Sequence, residues 1–270
     1  MRGEKEQMRG EKEQMRGEKE QKCLDFVKSH LKHENYYGFS KFEIDKFRKC
    51  LESAQANPQS SSFPDFVFEN GFIEHFQITS GKVTRKGSKH LEEFNKYQNE
   101  NKKTLFSNIN NGDLSPVYST MKYSEHSYKY LENSFKKSWE SHILSADKYS
   151  GNKQIGIFMI EYQDDCMEMR ENIFAESEEN ICYGDIRKPI IIENYSLCHD
   201  KNILNFINTY RENIKYVIYV FDKGIEVINV CNIPELIKLL PWDFCVAGTI
   251  GKIRVDTFIP IQNFEEDKDE

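Results

Sequence analysis

Several patterns that identify an established chemistry are missing from this chain of 270 residues. Its seven cysteines are odd in number and form no Cys-x-x-Cys pair, which argues against a disulfide framework and against a zinc site. Its seven histidines show no His-Glu-x-x-His or His-x-His spacing, so a histidine-based metal site has no support. The sequence contains no P-loop, no dinucleotide-binding glycine motif and no recognisable Ser-His-Asp or Cys-His arrangement.

Long apolar segments are also missing. No run of 18 apolar residues occurs, and no apolar signal-peptide region follows the first residue. Unpaired thiols are typical of a reducing compartment. The sequence therefore predicts a soluble cytoplasmic protein without a membrane partner.

Acidic residues outnumber basic residues, and the charges are unevenly distributed along the chain. The formal net charge is -7, which gives no general indication of nucleic-acid binding. Residues 82–103, however, carry seven Lys or Arg against three Glu, whereas residues 161–187 carry nine Asp or Glu against two Arg. A local basic segment can contact phosphates on an acidic chain, but a solvated helix face is the more usual explanation of such a segment.

The first 21 residues consist of three identical copies of MRGEKEQ. The period of seven suggests a coiled coil, but each copy offers a single apolar residue, and a coiled coil needs two in every seven. We therefore predict a disordered segment or a marginal solvated helix over 1–21. A duplicated translation start also accounts for the repeat, because each copy begins with Met.

The remaining chain alternates between helix and strand patterns, and aromatic residues make up 13% of the whole. Hydrophobic spacing and capping residues predict helices over 23–34, from Ser40 to about 54, 88–109, 124–149, 200–211 and 233–240. Alternation and apolar runs predict strands over 64–69, 72–79, 154–162 and 190–195, two within 215–230, and one over 251–261. This order predicts an α/β fold with a central mixed sheet flanked by helices. We place a core at 22–162 and a C-terminal α/β extension, or second small domain, at 163–270.

The stretch FPDFVFENGFIEHFQITS, residues 63–80, contains the strongest local signal. Asn70-Gly71 predicts a two-residue hairpin turn, which would set Val67 opposite Glu74. Side chains alternate along a strand, so Glu74 shares a face with the apolar Phe76, where an unpaired carboxylate is costly. Asp65 would lie diagonally opposite Glu74. A divalent cation shared by the two carboxylates is one solution, and a salt bridge of Glu74 across the sheet with Asp65 as a turn residue is the other.

Pro64-Asp65, a hairpin and then Glu74 resemble the motif of the PD-(D/E)XK nuclease superfamily. The resemblance implies a restriction-endonuclease-like core in which Asp65 and Glu74 bind Mg²⁺ (or Mn²⁺). In that family a lysine two residues after the second acid activates water, but Phe76 stands at that position here. A strand bulge that turned Gln77 inward, or a lysine from the basic segment such as Lys89, could replace it.

On this resemblance the chain is a Mg²⁺-dependent nuclease that cleaves DNA phosphodiester bonds, in host defence or in a mobile element. The residues implied as catalytic are Asp65, Glu74, Gln77 and Lys89, and those implied to contact nucleic acid are Lys82, Arg85, Lys86 and Lys89. The alternative is a catalytically inactive nuclease-like fold that binds nucleic acid or a protein partner. For His75 we predict a hydrogen-bonded sheet residue, and for Glu161 either a strand-end carboxylate or a third metal ligand.

Overall fold

The computed structural model describes most of the chain, in segments. The described residues are 17–58, 62–84, 87–122, 124–162, 164, 166–171, 174–176, 182–184, 191–192, 194–222, 224–240, 244–248 and 253–259. The predicted disordered segment at 1–21 lies outside them except for 17–21, which are helical. Contacts divide the chain into a first unit, Met1–Ser80 with Ser127–Gly248, and a second unit, Gly81–His126 with Thr249–Glu270. The domain boundaries predicted from motif and charge, at residues 21 and 162, stay a prediction.

Most helices form near the predicted positions, but the helix predicted over 23–34 spans 17–30. Ser40 and Glu43 form the predicted capping box at the start of one helix, and the Asp200 carboxylate accepts the N–H groups of Asn202 and Ile203 at the start of another. The helices are α1 (17–30), α2 (Lys41–Ser53), α3 (Lys89–Asn110), α4 (Tyr128–Lys148), α5 (Lys201–Asn208) and α6 (Ile233–Leu239).

The strands belong to one large sheet and several small ones. Those of the large sheet are β1 (Tyr36–Tyr37), β2 (Gln55–Ala56), β3 (Phe66–Phe68), β4 (Gly71–Ile78), β8 (Ile155–Tyr162), β13 (Tyr216–Phe221) and β14 (Gly224–Asn229). The others are β5 (Val83–Thr84), β6 (Gly87–Ser88), β7 (Val117–Lys122), β9 (Met167–Glu171), β10 (Phe174–Glu176), β11 (Cys182–Gly184), β12 (Ile191–Ile192), β15 (Phe244–Gly248) and β16 (Ile253–Phe258).

The large sheet is mixed, as the sequence predicts. Its strand order is β1-β14-β13-β8-β4-β3-β2. β8 is parallel to both of its neighbours, β4 and β13. The hairpins β3–β4 and β13–β14 are antiparallel. β8 therefore lies between two parallel strands, which accounts for its nearly continuous apolar sequence, because both of its faces are covered.

Helices cover both faces of this sheet. The apolar stripe of α4 is buried on one face together with residues of α5 and α6, while α1 and α2 pack on the other. Adjacent residues of β4 belong to different layers, since Phe72 and Phe76 face α4 while Ile73 faces α1 and α2. The first unit is thus an α/β fold with a seven-stranded mixed sheet flanked by helices.

The second unit is smaller. β7 and β16 form an antiparallel ribbon, and β5 and β6 a short hairpin before α3. Within the unit, the Arg254 guanidinium lies 5.1 Å from the centre of the Phe94 ring, and the Ser119 hydroxyl donates to the Tyr97 oxygen at 2.8 Å. Among the described residues of the chain, no helix has the length and apolar character needed to cross a membrane.

Candidate functional site

The hairpin β3–β4 turns one residue earlier than the Asn-Gly signal predicts, which shifts the pairing register by two residues. Phe66 pairs with Ile73 and Phe68 with Gly71, so the turn is formed by residues 69 and 70, and the predicted pairing of Val67 with Glu74 is wrong. The parallel neighbour β8 explains why glycine occurs at position 71. A Cβ atom on Gly71 would overlap the carbonyl oxygen of Ile155, so glycine is required here for the approach of β8 and not for the turn.

The observed register brings Asp65 and Glu74 opposite each other instead of diagonally. Continued by one residue beyond the last ladder pair, Phe66–Ile73, the register sets Asp65 opposite Glu74. The Asp65 N–H donates to Glu74 Oε2 at 3.1 Å, and the His75 N–H donates to Asp65 Oδ2 at 2.7 Å. Each carboxylate thus accepts a backbone N–H of the opposite strand, beyond the last ladder pair of the hairpin.

Glu74 lies on the apolar face, as strand parity predicts, and its side chain is 5% exposed. Helix α4 supplies its partner, since His142 Nδ1 lies 2.7 Å from Glu74 Oε1. The His142 ring also stacks on Phe76, with ring centres 4.6 Å apart. The imidazole of His142 therefore lies over the residue that occupies the lysine position of the motif.

The opposite face of the sheet carries a second polar group. β4 pairs with β8 without interruption from Gly71 to Ile78, so no bulge turns Gln77 towards Glu74. Instead, Gln77 Nε2 donates to Glu161 Oε2 at 2.8 Å, and His75 Nε2 lies 3.1 Å from the same oxygen. The Cys23 thiol of α1 completes this group, and burial, followed by the charge of Glu161, raises its pKa to about 12.

The two groups differ in their capacity to hold a metal. Within the part of the chain that the structure describes, Cys23, His75 and Glu161 are the only three His, Cys, Asp or Glu residues whose ligand atoms all lie within 4.8 Å of one another. The pair Asp65 and Glu74 offers oxygen ligands, which suit Mg²⁺ or Mn²⁺. A carboxylate has about four lone-pair sites, and the contacts of Glu74 with the Asp65 N–H and with His142 Nδ1 use two of them.

The predicted basic residues belong to the second unit, whereas both acids belong to the first. Lys82 is exposed, and Lys89 Nζ forms an exposed ion pair with Glu93 Oε1 at 3.4 Å. Arg85 and Lys86 lie outside the described residues. The contribution of Lys89 to catalysis, and of this segment to phosphate binding, stays a prediction.

A buried network near α5 superficially resembles a nucleophilic site. The Ser196 hydroxyl donates to Glu226 Oε1 at 2.5 Å, His199 Nδ1 lies 2.7 Å from the same hydroxyl, and the Cys198 N–H donates to Glu226 Oε2 at 2.9 Å. Burial, together with the charge of Glu226, raises the pKa of the Cys198 thiol well above its ordinary value. A buried protonated thiol is a poor nucleophile, so Cys198 is better suited to packing in the core than to nucleophilic attack.

His142 and Cys23 are the residues that sequence reasoning missed. His142 stands immediately before Ile143, at the edge of the apolar stripe of α4, and its contact with Glu74 joins residues 68 positions apart. A polar residue at the edge of a core-facing stripe is a weak signal, since nothing local reveals its partner. Comparison of the chain with protein-family models, with curated proteins and with solved structures found no match.

Proposed function

We propose that this protein is a metal-dependent nuclease with a restriction-endonuclease-like core, and that Asp65, Glu74 and His142 form its active site. The observation that carries the proposal is that both of the other residues contact the buried Glu74 carboxylate. Asp65, which immediately precedes β3, donates its N–H to Glu74 Oε2 of β4 at 3.1 Å, and the imidazole of His142 from α4 lies 2.7 Å from Glu74 Oε1. Within the first unit, the order α2, β2–β3–β4, α4, β8 supports the core assignment, because the motif lies on a hairpin preceded by a helix in a mixed sheet.

Each residue has a distinct role in this proposal. Asp65 and Glu74 supply carboxylate oxygens for a divalent ion, for which Mg²⁺ and Mn²⁺ are the candidates. When bound, such an ion lowers the pKa of water and stabilises the negative charge that develops on a phosphodiester. His142 holds Glu74 through Nδ1, which leaves Nε2 to accept a proton from the attacking water. It thereby replaces the missing lysine, whose position Phe76 occupies beneath the imidazole ring.

The test is a cleavage assay with plasmid, linear and single-stranded DNA in Mg²⁺ or Mn²⁺. The variants are Asp65→Asn, Glu74→Gln and His142→Gln, which retain polar side chains of similar size. We expect cleavage to fall at least about 100-fold in each, since residues that only support a metal ligand already contribute about 10–100-fold. Lys136→Gln on the same helix, whose side chain is 36% exposed, is the matched control and should cleave like the wild type. Unchanged cleavage in the first three variants contradicts the proposal.

A second candidate is a catalytically inactive nuclease-like fold that binds DNA. The observation that favours it is Phe76, which is 5% exposed and packs beneath His142 at the lysine position. In this case the wild type cleaves none of the three substrates with either ion, but retards DNA in gels in a salt-dependent manner. Lys82→Ala and Lys89→Ala would weaken that binding. A protein that neither cleaves nor retards DNA contradicts both candidates.

A further inference from the structure

Three different ligand types meet on the α1 side of the large sheet. Cys23 comes from α1, His75 from β4 and Glu161 from β8, and their ligand atoms all lie within 4.8 Å of one another. This group is on the face opposite to Glu74, because adjacent residues of β4 point to opposite sides. We propose that Cys23, His75 and Glu161 form a binding site for a divalent transition-metal ion of the zinc class. The proposal does not depend on nuclease activity.

The fold brings these residues together through strand register. Gln77 pairs with Glu161 in the parallel ladder between β4 and β8, and His75 lies two residues earlier on the same face as Gln77. Helix α1 packs on this face through Leu24 and Val27, which are both fully buried, and so places Cys23 above the two strands. Sequence spacing argued against a zinc site because the three ligands lie far apart in the chain and on three elements.

The donor set is the chemical reason for choosing the zinc class. Thiolate, imidazole and carboxylate are the three ligand types of protein zinc sites, whereas Mg²⁺ and Ca²⁺ take oxygen ligands only. Metal–ligand distances of about 2.0–2.3 Å place tetrahedral ligand atoms about 3.3–3.6 Å apart. His75 Nε2 and Glu161 Oε2 are already 3.1 Å apart, so small side-chain shifts are sufficient for a shared ion.

The surroundings suit a site with three protein ligands and one open position. The side chain of His75 is 4% exposed and Cys23 is 8% exposed, so the inner part of the group is shielded from water. Glu161 is 29% exposed and Gln77 is exposed, which leaves a route for the ion from solvent. Gln77 already donates to Glu161 Oε2 and would hold this ligand in place, as hydrogen-bond partners of metal ligands commonly do.

The experiment is a titration of the tag-free full-length chain, freed of metal by a chelator, with Co²⁺ and then Zn²⁺. We expect one ion per chain, a thiolate-to-cobalt charge-transfer band in the near ultraviolet, and displacement of that band by Zn²⁺. Cys23→Ser should abolish the band, and Glu161→Gln should lower Co²⁺ affinity by at least about 10–100-fold, the range already found for supporting residues. Cys50→Ser alters another buried cysteine packed on the same face, and should bind like the wild type.

A further variant distinguishes loss of metal binding from loss of folding. Gln77→Ala changes an exposed residue that is not a ligand, and should lower Co²⁺ affinity by about 10–100-fold while leaving thermal unfolding of the metal-free chain unchanged. Zn²⁺ should raise the melting temperature of the wild type and of Cys50→Ser, but not of Cys23→Ser. Absence of the charge-transfer band in the wild type, or its persistence in Cys23→Ser, overturns the proposal.

Discussion

The contact between Glu74 and His142 should contribute measurably to stability, whatever the activity of the site. His142 Nδ1 and Glu74 Oε1 are 2.7 Å apart, and the side chains are 22% and 5% exposed. A hydrogen bond to a charged group contributes about 1.5–3 kcal/mol, and water that reaches the imidazole reduces this value. We therefore expect a coupling free energy of about 1–2 kcal/mol between the two residues.

A double-mutant cycle measures this coupling. Glu74→Ala, His142→Ala and the double variant are compared with the wild type by urea denaturation, followed by the fluorescence of the buried Trp139. Each single variant also removes packing, and Glu74→Ala removes in addition the acceptor of the Asp65 N–H. The cycle cancels these separate costs and leaves the pairwise interaction.

The same helix offers a control pair. Glu132 and Lys136 are 2.6 Å apart, but their side chains are 29% and 36% exposed, so water screens their attraction. Helical pairs at this spacing contribute about 0.3–0.5 kcal/mol. A coupling between Glu74 and His142 no larger than that of the control pair would refute the assignment of His142 as the partner of a desolvated carboxylate.

Two further predictions concern stability. Burial raises the pKa of Glu226 above its ordinary value of 4.5, so the folded state binds the carboxyl proton more tightly than the unfolded state does. The stability that this protonated carboxyl contributes is therefore lost as pH rises above 4.5. The free energy of unfolding of Glu226→Gln, measured by urea denaturation, should therefore rise relative to that of the wild type as pH increases. A difference between the two free energies that does not change with pH would contradict this prediction. Gly71→Ala should destabilise the fold by more than about 1–3 kcal/mol, because its Cβ would overlap the Ile155 carbonyl oxygen of the adjacent strand. Gly17→Ala, whose Cβ meets no atom within 4 Å, should leave the melting temperature nearly unchanged or raise it, and equal losses in both variants would be inconsistent with the close approach of β8.

Local rules were sufficient for most elements of the first unit. The capping box of Ser40 and Glu43 starts α2 where predicted, because the side chains that satisfy the first N–H groups are close in sequence. The stripe of α4 that includes Phe135 and Trp139 is buried as its spacing predicts. The apolar run 155–162 forms a central strand, because a nearly continuous apolar sequence is stable only where both faces of the strand are buried.

Strand parity was also sufficient to place Glu74 on the buried face. The register was wrong by two residues, and a shift by two leaves every side chain on the same face, whereas a shift by one would have reversed them all. The Asn-Gly pair misled the turn prediction because the need for glycine came from β8, a strand that begins 84 residues after Gly71. No local pattern records that approach.

The sequence by itself determined the fold class, the faces of β4 and the burial of a carboxylate that requires a partner. Only the tertiary structure decided which partners the polar residues have. His142 reaches Glu74 across 68 residues, and Glu161 reaches His75 across 86. The physical reason is that periodicity and capping are set by neighbours in the chain, while these contacts depend on which helix packs on which face and on the register of parallel strands.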